Sequence, residues 1–222
     1  MPSQEAKPEA IVQLEDFEAT DVTFSVRGEP AQAEVHLYGV YNVYNAAAAL
    51  ALSMTVTDDG RDAPAAQAGI PSLLGELSAV TPAFGRGETI TVDGAPLQLL
   101  LVKNPAGFRL SLASASAQDY ATMIAINDQY ADGRDVSWLW DVDFDALRDG
   151  GVDMVSGVRA WDMALRLDYD LVRVAAVEPD LEDALRRFIE DSGERPMRIF
   201  CTYTAMLSLR RILGGMTHVA AI

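Results

Sequence analysis

The chain has 222 residues, half of them hydrophobic, which is enough for one large or two small domains with packed cores. Its 33 acidic and 17 basic residues give a formal net charge of −16, with no run of Lys or Arg. Because phosphate backbones and anionic membrane surfaces attract clustered cations, this charge argues against partners of either kind. The longest apolar stretch, residues 46–52, is too short to cross a bilayer, so no transmembrane segment is predicted.

Cysteine and histidine are scarce. The single Cys201 cannot form an intramolecular disulfide, and no Cys and His residues have the spacing of zinc ligands, so we predict no metal site. Residues 1–10 lack the basic segment and apolar core of a signal peptide. These features predict a cytoplasmic protein in which Cys201, in an apolar run, is a buried small hydrophobic side chain.

The first third of the chain predicts a small α/β unit. Residues 21–37 alternate apolar and polar side chains around the turn-forming sequence RGEP at residues 27–30, which is typical of a hairpin. The Ala-rich residues 45–56 predict a helix, and residues 70–77 a shorter one. We predict a domain boundary between Leu77 and Phe84, which divides the chain into residues 1–80 and 81–222.

The remaining residues predict alternating strands and helices. Two strands flank an Asp93-Gly94 turn, and the second is a continuous apolar run, as in strands covered on both faces. Strands separated by helices pair in parallel through crossovers, so we predict a doubly wound α/β sheet. The predicted strands are 89–92, 97–102, 120–126, 152–156, 172–175 and 198–201, and the predicted helices include 143–148, 159–167, 181–191 and 204–213.

Three short motifs have side chains suited to a nucleotide. Asn42 and Asn45, three residues apart, can present amide donors and acceptors to a purine edge, although helix capping is the simpler interpretation. Arg86 lies between two glycines and can bind phosphate or ribose oxygens, although it can equally be a solvated loop arginine. Lys103 follows an apolar strand, where α/β sheets bind ligands, but the same residues also fit a simple Pro-Gly turn.

The order of these motifs resembles the Mur ligase superfamily. Its blocks read G-x-x-N-x-x-N-A-x-A-A, G-R-G-E and a strand ending in K-N-P-x-G, and they span the end of a central ATPase domain and the start of a Rossmann-like C-terminal domain. The resemblance implies that residues 1–80 are a remnant of the central domain and residues 81–222 the C-terminal domain. It also implies that Asn45 contacts adenine, with Asn42 beside it, and that Arg86 lies near ribose and phosphate.

Departures from that pattern point to the MurT branch. The usual strand-end loop reads D-Y-A-H-N-P-D-G, whereas Leu100, Lys103 and Ala106 here replace its first Asp, its His and its second Asp. Ordinary amino-acid addition is therefore in question. Residues 126–144, INDQYADGRDVSWLWDVDF, resemble the most characteristic segment of the MurT branch.

Six aspartates crowd around Trp138 and Trp140 in this segment, and their mutual repulsion is costly unless cations or hydrogen-bond donors offset it. The alternative is a solvated acidic loop with two core tryptophans. The resemblance implies that a GatD-like glutaminase partner supplies a Cys and a His, and that an Asp of this loop completes the triad. We predict Asp135, with Asp132 and Asp141 as alternatives. The six aspartates are Asp128, Asp132, Asp135, Asp141, Asp143 and Asp145.

The resemblance implies ATP-dependent amidation of the D-glutamate α-carboxylate in the lipid II stem peptide, with ammonia from the glutaminase and with Lys103 assisting the acyl phosphate. ATP and Mg²⁺ are the implied cofactors, and the lipid precursor implies action at the inner face of the membrane. The sequence lacks the G-x-x-x-x-G-K-[ST] phosphate loop, so we expect no ATP hydrolysis by this chain alone. The alternatives are a non-catalytic docking module and a ligase fragment of the amino-acid-adding Mur or folylpolyglutamate type.

Overall fold

The computed structural model describes residues 10–18, 20–37, 40–57, 69–80, 86–114 and 120–219. It divides into two compact units, Met1–Thr81 and Pro82–Ile222, called here the N-terminal and C-terminal units. The identification of these units with parts of Mur ligase domains stays a prediction at this point. Among the described residues, no helix combines the length and the apolar character required to cross a bilayer.

The N-terminal unit is an antiparallel three-stranded sheet packed with helices. Strands β1 (Val12–Glu18), β2 (Asp21–Val26) and β3 (Glu29–Glu34) pair in sequence order. Arg27 and Gly28 both have positive φ, as a two-residue hairpin turn requires, and the predicted hairpin is confirmed. Strand β1 was not predicted, because its sequence VQLEDFE is acidic and leaves most of its side chains exposed.

Helix α1 (Val40–Thr57) begins five residues earlier than predicted, and α2 (Ile70–Ser78) lies close to its predicted bounds. Four apolar side chains of α1 recur at intervals of three or four residues and are buried, which is the helical period. That period starts at Val43, so packing extends the helix to residues before its predicted start. The four side chains are Val43, Ala46, Leu50 and Met54.

The C-terminal unit is built on a six-stranded sheet of order β4-β5-β9-β6-β7-β8. Strands β4 and β5 form an antiparallel hairpin through the Asp93-Gly94 turn, and the other neighbours pair in parallel. The predicted doubly wound α/β sheet is confirmed. The strands are β4 (Arg86–Val92), β5 (Ala95–Leu101), β6 (Ala121–Ala125), β7 (Val152–Ser156), β8 (Val174–Glu178) and β9 (Met197–Cys201).

Helices cover both faces of this sheet, so β6 and β9 are buried along their whole length. One face packs against α3 (Pro105–Ser114), α4 (Ala160–Tyr169) and the short 3-10 helices Ser137–Asp141 and Asp145–Leu147. The other face packs against α5 (Leu181–Ser192) and α6 (Tyr203–Gly214). Strand β8 starts two residues later than predicted, because Leu171 turns the chain with a φ of 60°.

Candidate functional site at the carboxyl edge

The carboxyl edge of the six-stranded sheet is where the winding direction changes. Strand β9 lies between β5 and β6, and its following helix α6 packs on the opposite face from α3, which follows β5. In open α/β sheets, ligands bind in the crevice at such a switch point. The loops that follow β5, β6, β7 and β9 therefore contain the candidate site.

Polar side chains join the ends of β6 and β9 in this crevice. The Thr202 hydroxyl accepts a hydrogen bond from the Asn127 amide N at 2.9 Å, and the Asn127 side-chain amide donates to Thr204 Oγ1 at 3.1 Å. Asn127 Oδ1 accepts from the Val158 N at 3.0 Å, which adds the end of β7. Asn127 is buried, so its hydrogen bonds fix the relative positions of three strand ends.

Gly157 allows the end of β7 to lie close to the loop that follows β6. It has a φ of +91°, and a Cβ atom there would lie 2.4 Å from the Ile126 carbonyl oxygen and 2.9 Å from Asn127 Oδ1. Only glycine fits both the left-handed backbone and the short distance. Gly157 follows β7 directly, so the strand end and the loop after β6 pack without an intervening side chain.

Asp132 anchors the loop that follows β6. Its carboxylate accepts from the Thr204 N at 2.8 Å, from Thr204 Oγ1 at 2.5 Å and from the Gln129 N at 3.0 Å. Thr204 lies in the first turn of α6, where free backbone N–H groups favour an anion. The carboxylate is buried at 9% exposure and its hydrogen-bonding capacity is used within the chain.

Asp128 is neutralised by a nearby arginine. Arg159 lies just before α4 and donates from Nε to Asp128 Oδ2 at 2.9 Å, while its Nη2 lies 2.8 Å from the same oxygen. Arg159 also pairs with Asp162, at a longer 3.4 Å. The hydrogen bond with Asp128 raises the pKa of the Arg159 guanidinium. Arg159 therefore balances the first aspartate of the acidic loop.

Asp135 differs from both, because its carboxylate is exposed to solvent. Its Oδ1 accepts from the Ser137 N at 2.8 Å, and hydrogen bonds from Ser137 lower the pKa of the Asp135 carboxyl below its ordinary value of 3.8. Asp141 is also exposed, and its backbone carbonyl accepts a hydrogen bond from Arg109. The loop therefore presents an ionised, oriented carboxylate at position 135.

The two tryptophans of the loop have different environments. Trp138 is partly buried and packs against Phe108 with ring centroids 6.4 Å apart. Trp140 is half exposed, and it meets Tyr169 edge-on at 5.0 Å and the Arg166 guanidinium at 5.4 Å. The interpretation of two core tryptophans thus fits Trp138 alone.

One group of carboxylates could suggest a cation. Within the described ranges, one oxygen each of Asp143, Asp145 and Asp170 lie within 4.8 Å of one another. However, Arg166 Nη1 lies 2.6 Å from Asp170, and Arg148 pairs with Asp145. These guanidinium groups already supply the compensating positive charge, so the group does not fit a dedicated metal site.

The predicted strand-end residues follow β5 directly. Lys103 is exposed two residues beyond the end of the strand. Asn104 turns the chain into α3, where its Oδ1 accepts from the Gly107 N at 2.8 Å. Lys103 is thus on the carboxyl edge, while the adjacent Asn104 has a structural role at the start of a helix.

The other predicted nucleotide residues lie elsewhere. Asn42 and Asn45 belong to the first two turns of α1, where Asn42 is buried and Asn45 is exposed. Arg86 begins β4, and its backbone pairs with Leu100 of β5, while its side chain lies outside the described residues. Their nucleotide roles stay predictions.

The sequence motifs predict no role for four residues that form the centre of the crevice: Asn127, Thr202, Thr204 and Gly157. The available signal was position: each is a polar or glycine residue within three positions of the end of a buried strand. Cys201 at the end of β9 is fully buried, as predicted, and burial raises the pKa of its thiol, so it stays protonated.

Sequence comparison gives a consistent result. A family model described as MurT ligase C-terminal matches residues 101–206. The MurT subunit of lipid II isoglutaminyl synthase (glutamine-hydrolyzing) from Streptococcus pneumoniae is 31% identical over 188 residues, which cover 82% of this chain and 39% of that protein. The corresponding subunit from Staphylococcus aureus is 34% identical over 121 residues, 48% of this chain and 28% of that protein. The chain therefore spans about two fifths or less of these relatives.

Solved structures of Mur-type ligases share the fold. A pseudomurein peptide ligase type C from Methanothermus fervidus has a TM-score of 0.68 and 13% identity, over 95% of this chain and 43% of that one. MurF ligase from Thermotoga maritima, in complex with ADP, has a TM-score of 0.64 and 13% identity, over 94% of this chain and 46% of that one. The Rossmann-like Mur ligase fold is therefore established. The sequence relatives place the chain in the MurT family, and its residues 101–206 match the C-terminal part of that family.

Proposed function

We propose that this chain is the C-terminal portion of the ligase subunit of a lipid II isoglutaminyl synthase that works with a GatD-like glutaminase. ATP would phosphorylate the α-carboxylate of D-glutamate in the stem peptide of lipid II, releasing ADP. Ammonia from glutamine would then displace phosphate and give D-isoglutamine. The curated relatives named MurT lipid II isoglutaminyl synthase support this assignment.

The exposed carboxylate of Asp135 is the observation that carries the proposal. A triad acid must reach the partner's imidazole across the interface, orient it and stabilise its protonated form. Asp135 is ionised and accessible, whereas Asp132 is buried and bound to Thr204. Asp141 is also exposed, but Arg109 binds its backbone carbonyl, whereas Ser137 orients the carboxylate of Asp135 itself. We therefore retain Asp135 as the residue that serves the glutaminase.

In the complete enzyme, Asn45 would contact adenine, with Asn42 beside it, and Arg86 would contact ribose or phosphate. Asn45 suits this role better than Asn42 because its amide is exposed. Lys103, exposed at the carboxyl edge, would assist the negatively charged acyl phosphate. ATP and Mg²⁺ would be required, as expected for a Mur-type ligase, and the lipid substrate would bring the cytoplasmic enzyme to the inner face of the membrane.

The test measures glutamine hydrolysis by the glutaminase mixed with the 222-residue chain. Asp135→Asn should lower the rate of hydrolysis by on the order of 10⁴-fold, the loss seen when the acid of a triad becomes an amide. The affinity between the subunits should not change. Asp149→Asn, at an exposed turn position of the same unit, is the matched control and should hydrolyse glutamine at the wild-type rate.

Unchanged turnover in the Asp135→Asn complex would refute the assignment of this carboxylate. The non-catalytic alternative predicts that the chain binds the glutaminase without altering its turnover. An amino-acid-adding ligase would instead consume an amino acid in the absence of glutamine. Adding the central-domain residues with their phosphate loop and measuring ATP- and glutamine-dependent amidation separates these outcomes.

A further inference from the structure

Helix α4 has an unusual outward face. Trp161, Leu165 and Tyr169 are spaced four residues apart, so they lie along one side of the helix. Their exposed fractions are 66%, 53% and 69%. The inner side of α4 buries Met163 and Leu167 in the core, so the helix is apolar on two sides. A helix of this kind is typical of an element that is covered on both sides.

Two further exposed apolar side chains adjoin this helix. Trp140 meets Tyr169 at 5.0 Å between ring centroids, and Leu171 is 79% exposed just beyond the end of the helix. Leu171 has a φ of 60°, a left-handed backbone conformation that is unfavourable for a leucine and occurs mostly where the surroundings require it. The α4 stripe is defined here as Trp140, Trp161, Leu165, Tyr169 and Leu171.

Arg166 fixes the end of the stripe that contains Trp140. Its guanidinium donates to the Leu139 carbonyl at 3.2 Å and the Val142 carbonyl at 2.5 Å, and pairs with Asp170 at 2.6 Å. The same guanidinium lies 5.4 Å from the Trp140 ring centroid. A surface fixed before binding loses little side-chain entropy when a partner covers it.

Carboxylates border the stripe. Asp141 follows Trp140, Asp162 follows Trp161, and Asp168 precedes Tyr169, and all three are exposed. A second copy of this chain would bring the same negative rim, in a chain of net charge −16, against the first. The complementary occupant is a surface with an apolar centre and a border of Lys and Arg.

The stripe is also close to Asp135 along the chain. The 3-10 helix Ser137–Asp141 begins at the residue that binds Asp135 and contains Trp140. At about 2 Å of rise per residue, this helix is only about 8 Å long. A standard interface covers roughly 800 Å² of each partner, a patch about 30 Å across. A glutaminase whose imidazole reaches Asp135 would therefore also reach Trp140.

We propose that the α4 stripe is the docking surface for the glutaminase, whose matching surface has an apolar centre bordered by basic side chains. Exposed tryptophan and tyrosine side chains are the residue types that contribute most at protein interfaces. This inference rests on the proposed function, because it takes the glutaminase as the partner. It adds a binding surface separate from the carboxylate that serves the partner's active site.

The test measures the affinity of the 222-residue chain for a purified GatD-like glutaminase by titration calorimetry. Leu165→Glu should weaken binding at least tenfold, because it places a charge in the apolar centre. Leu52→Glu makes the same substitution at an exposed leucine of α1 and should bind with wild-type affinity. Trp161→Ala, which introduces no charge, should also weaken binding. In stopped-flow measurements of the association rate, Asp168→Lys should slow association, and the rate should depend less on salt than in the wild type.

The outcomes separate this inference from the proposed function. If the wild type binds and both Leu165→Glu and Trp161→Ala bind equally well, the stripe is not the docking surface, while the Asp135 assignment stands. If Asp135→Asn binds normally without hydrolysis and Leu165→Glu does not bind, both proposals are supported. A wild-type chain that fails to bind the glutaminase overturns both. Concentration-dependent dimers in sedimentation that Leu165→Glu abolishes would identify a second copy as the occupant and overturn the inference.

Discussion

Helices α4 and α5 pack on opposite faces of the same sheet and differ in how much of their apolar surface the chain itself buries. Helix α5 buries Ala184, Leu185 and Phe188 and exposes a charged side. The Asp180 side chain caps the start of α5 by accepting hydrogen bonds from backbone N–H groups of its first turn. Arg186 pairs with Glu182 one turn away, so the exposed charges are also paired within the helix. Helix α4 buries one side equally well but exposes large apolar side chains on the other. The comparison indicates that α5 needs no further contacts to bury its apolar side chains, whereas α4 presents apolar side chains suited to contact with a partner.

The same contrast occurs between two carboxylates three residues apart. Asp132 satisfies three donors of its own chain, whereas Asp135 is held on one side by Ser137 and faces solvent on the other. A buried carboxylate with all its partners stabilises the fold, while an exposed, oriented one is available to another molecule. The loop thus contains one aspartate, Asp132, that fixes its position and another, Asp135, that is available to a second molecule.

The largest expected effect is a difference in the free energy of unfolding between a variant of α5 and a variant of α4. Phe188→Ala should lower the free energy of unfolding by about 3–5 kcal/mol, because it leaves a cavity beneath α5. Trp161→Ala should change it by no more than about 0.5 kcal/mol, because the ring is mostly exposed. Urea denaturation followed by tryptophan fluorescence reports on the C-terminal unit, which contains all three tryptophans. Comparable losses in the two variants would mean that the α4 stripe belongs to the chain's own core.

A smaller effect should distinguish the two carboxylates. Asp132→Ala should lower the free energy of unfolding by about 2–3 kcal/mol, because it leaves Thr204 and Gln129 donors without their acceptor. Asp135→Ala should shift the urea midpoint much less, because its carboxylate is exposed. Denaturation curves of the two variants, recorded side by side, measure the difference. Equal midpoints would show that Asp132 does not anchor the loop.

The smallest effect concerns the pKa of Asp135. Because Ser137 hydrogen bonds lower the pKa of this carboxyl in the folded protein, Ser137→Ala should move it upward toward the ordinary value of 3.8. The stabilisation from a lowered pKa is present above the unfolded value and is lost as pH falls through the folded value, so its window lies below about pH 4. NMR titration of the Asp135 carboxyl carbon measures the shift, with Asp149 as an exposed reference. An unchanged pKa in the variant would show that the serine hydroxyl does not orient the carboxylate.

Sequence patterns located most elements of the C-terminal unit, because apolar strands and amphipathic helices alternate there with clear turn residues. They missed β1, whose acidic residues hide the strand pattern, and they placed the start of α1 too late. Motif order identified the family and pointed to the loop after β6. It did not identify Asn127 and Thr204, which are 77 positions apart and meet only because β9 inserts between β5 and β6.

By itself, the sequence determined the fold class and the acidic, tryptophan-bearing loop, because periodicity and motif order are local properties of the chain. Tertiary structure decided which aspartate is buried and which is exposed, since Asp132 meets a helix start 72 positions away. It also decided which tryptophan enters the core and which joins the α4 stripe. Burial depends on what packs against each side chain, and residues distant in sequence supply those contacts.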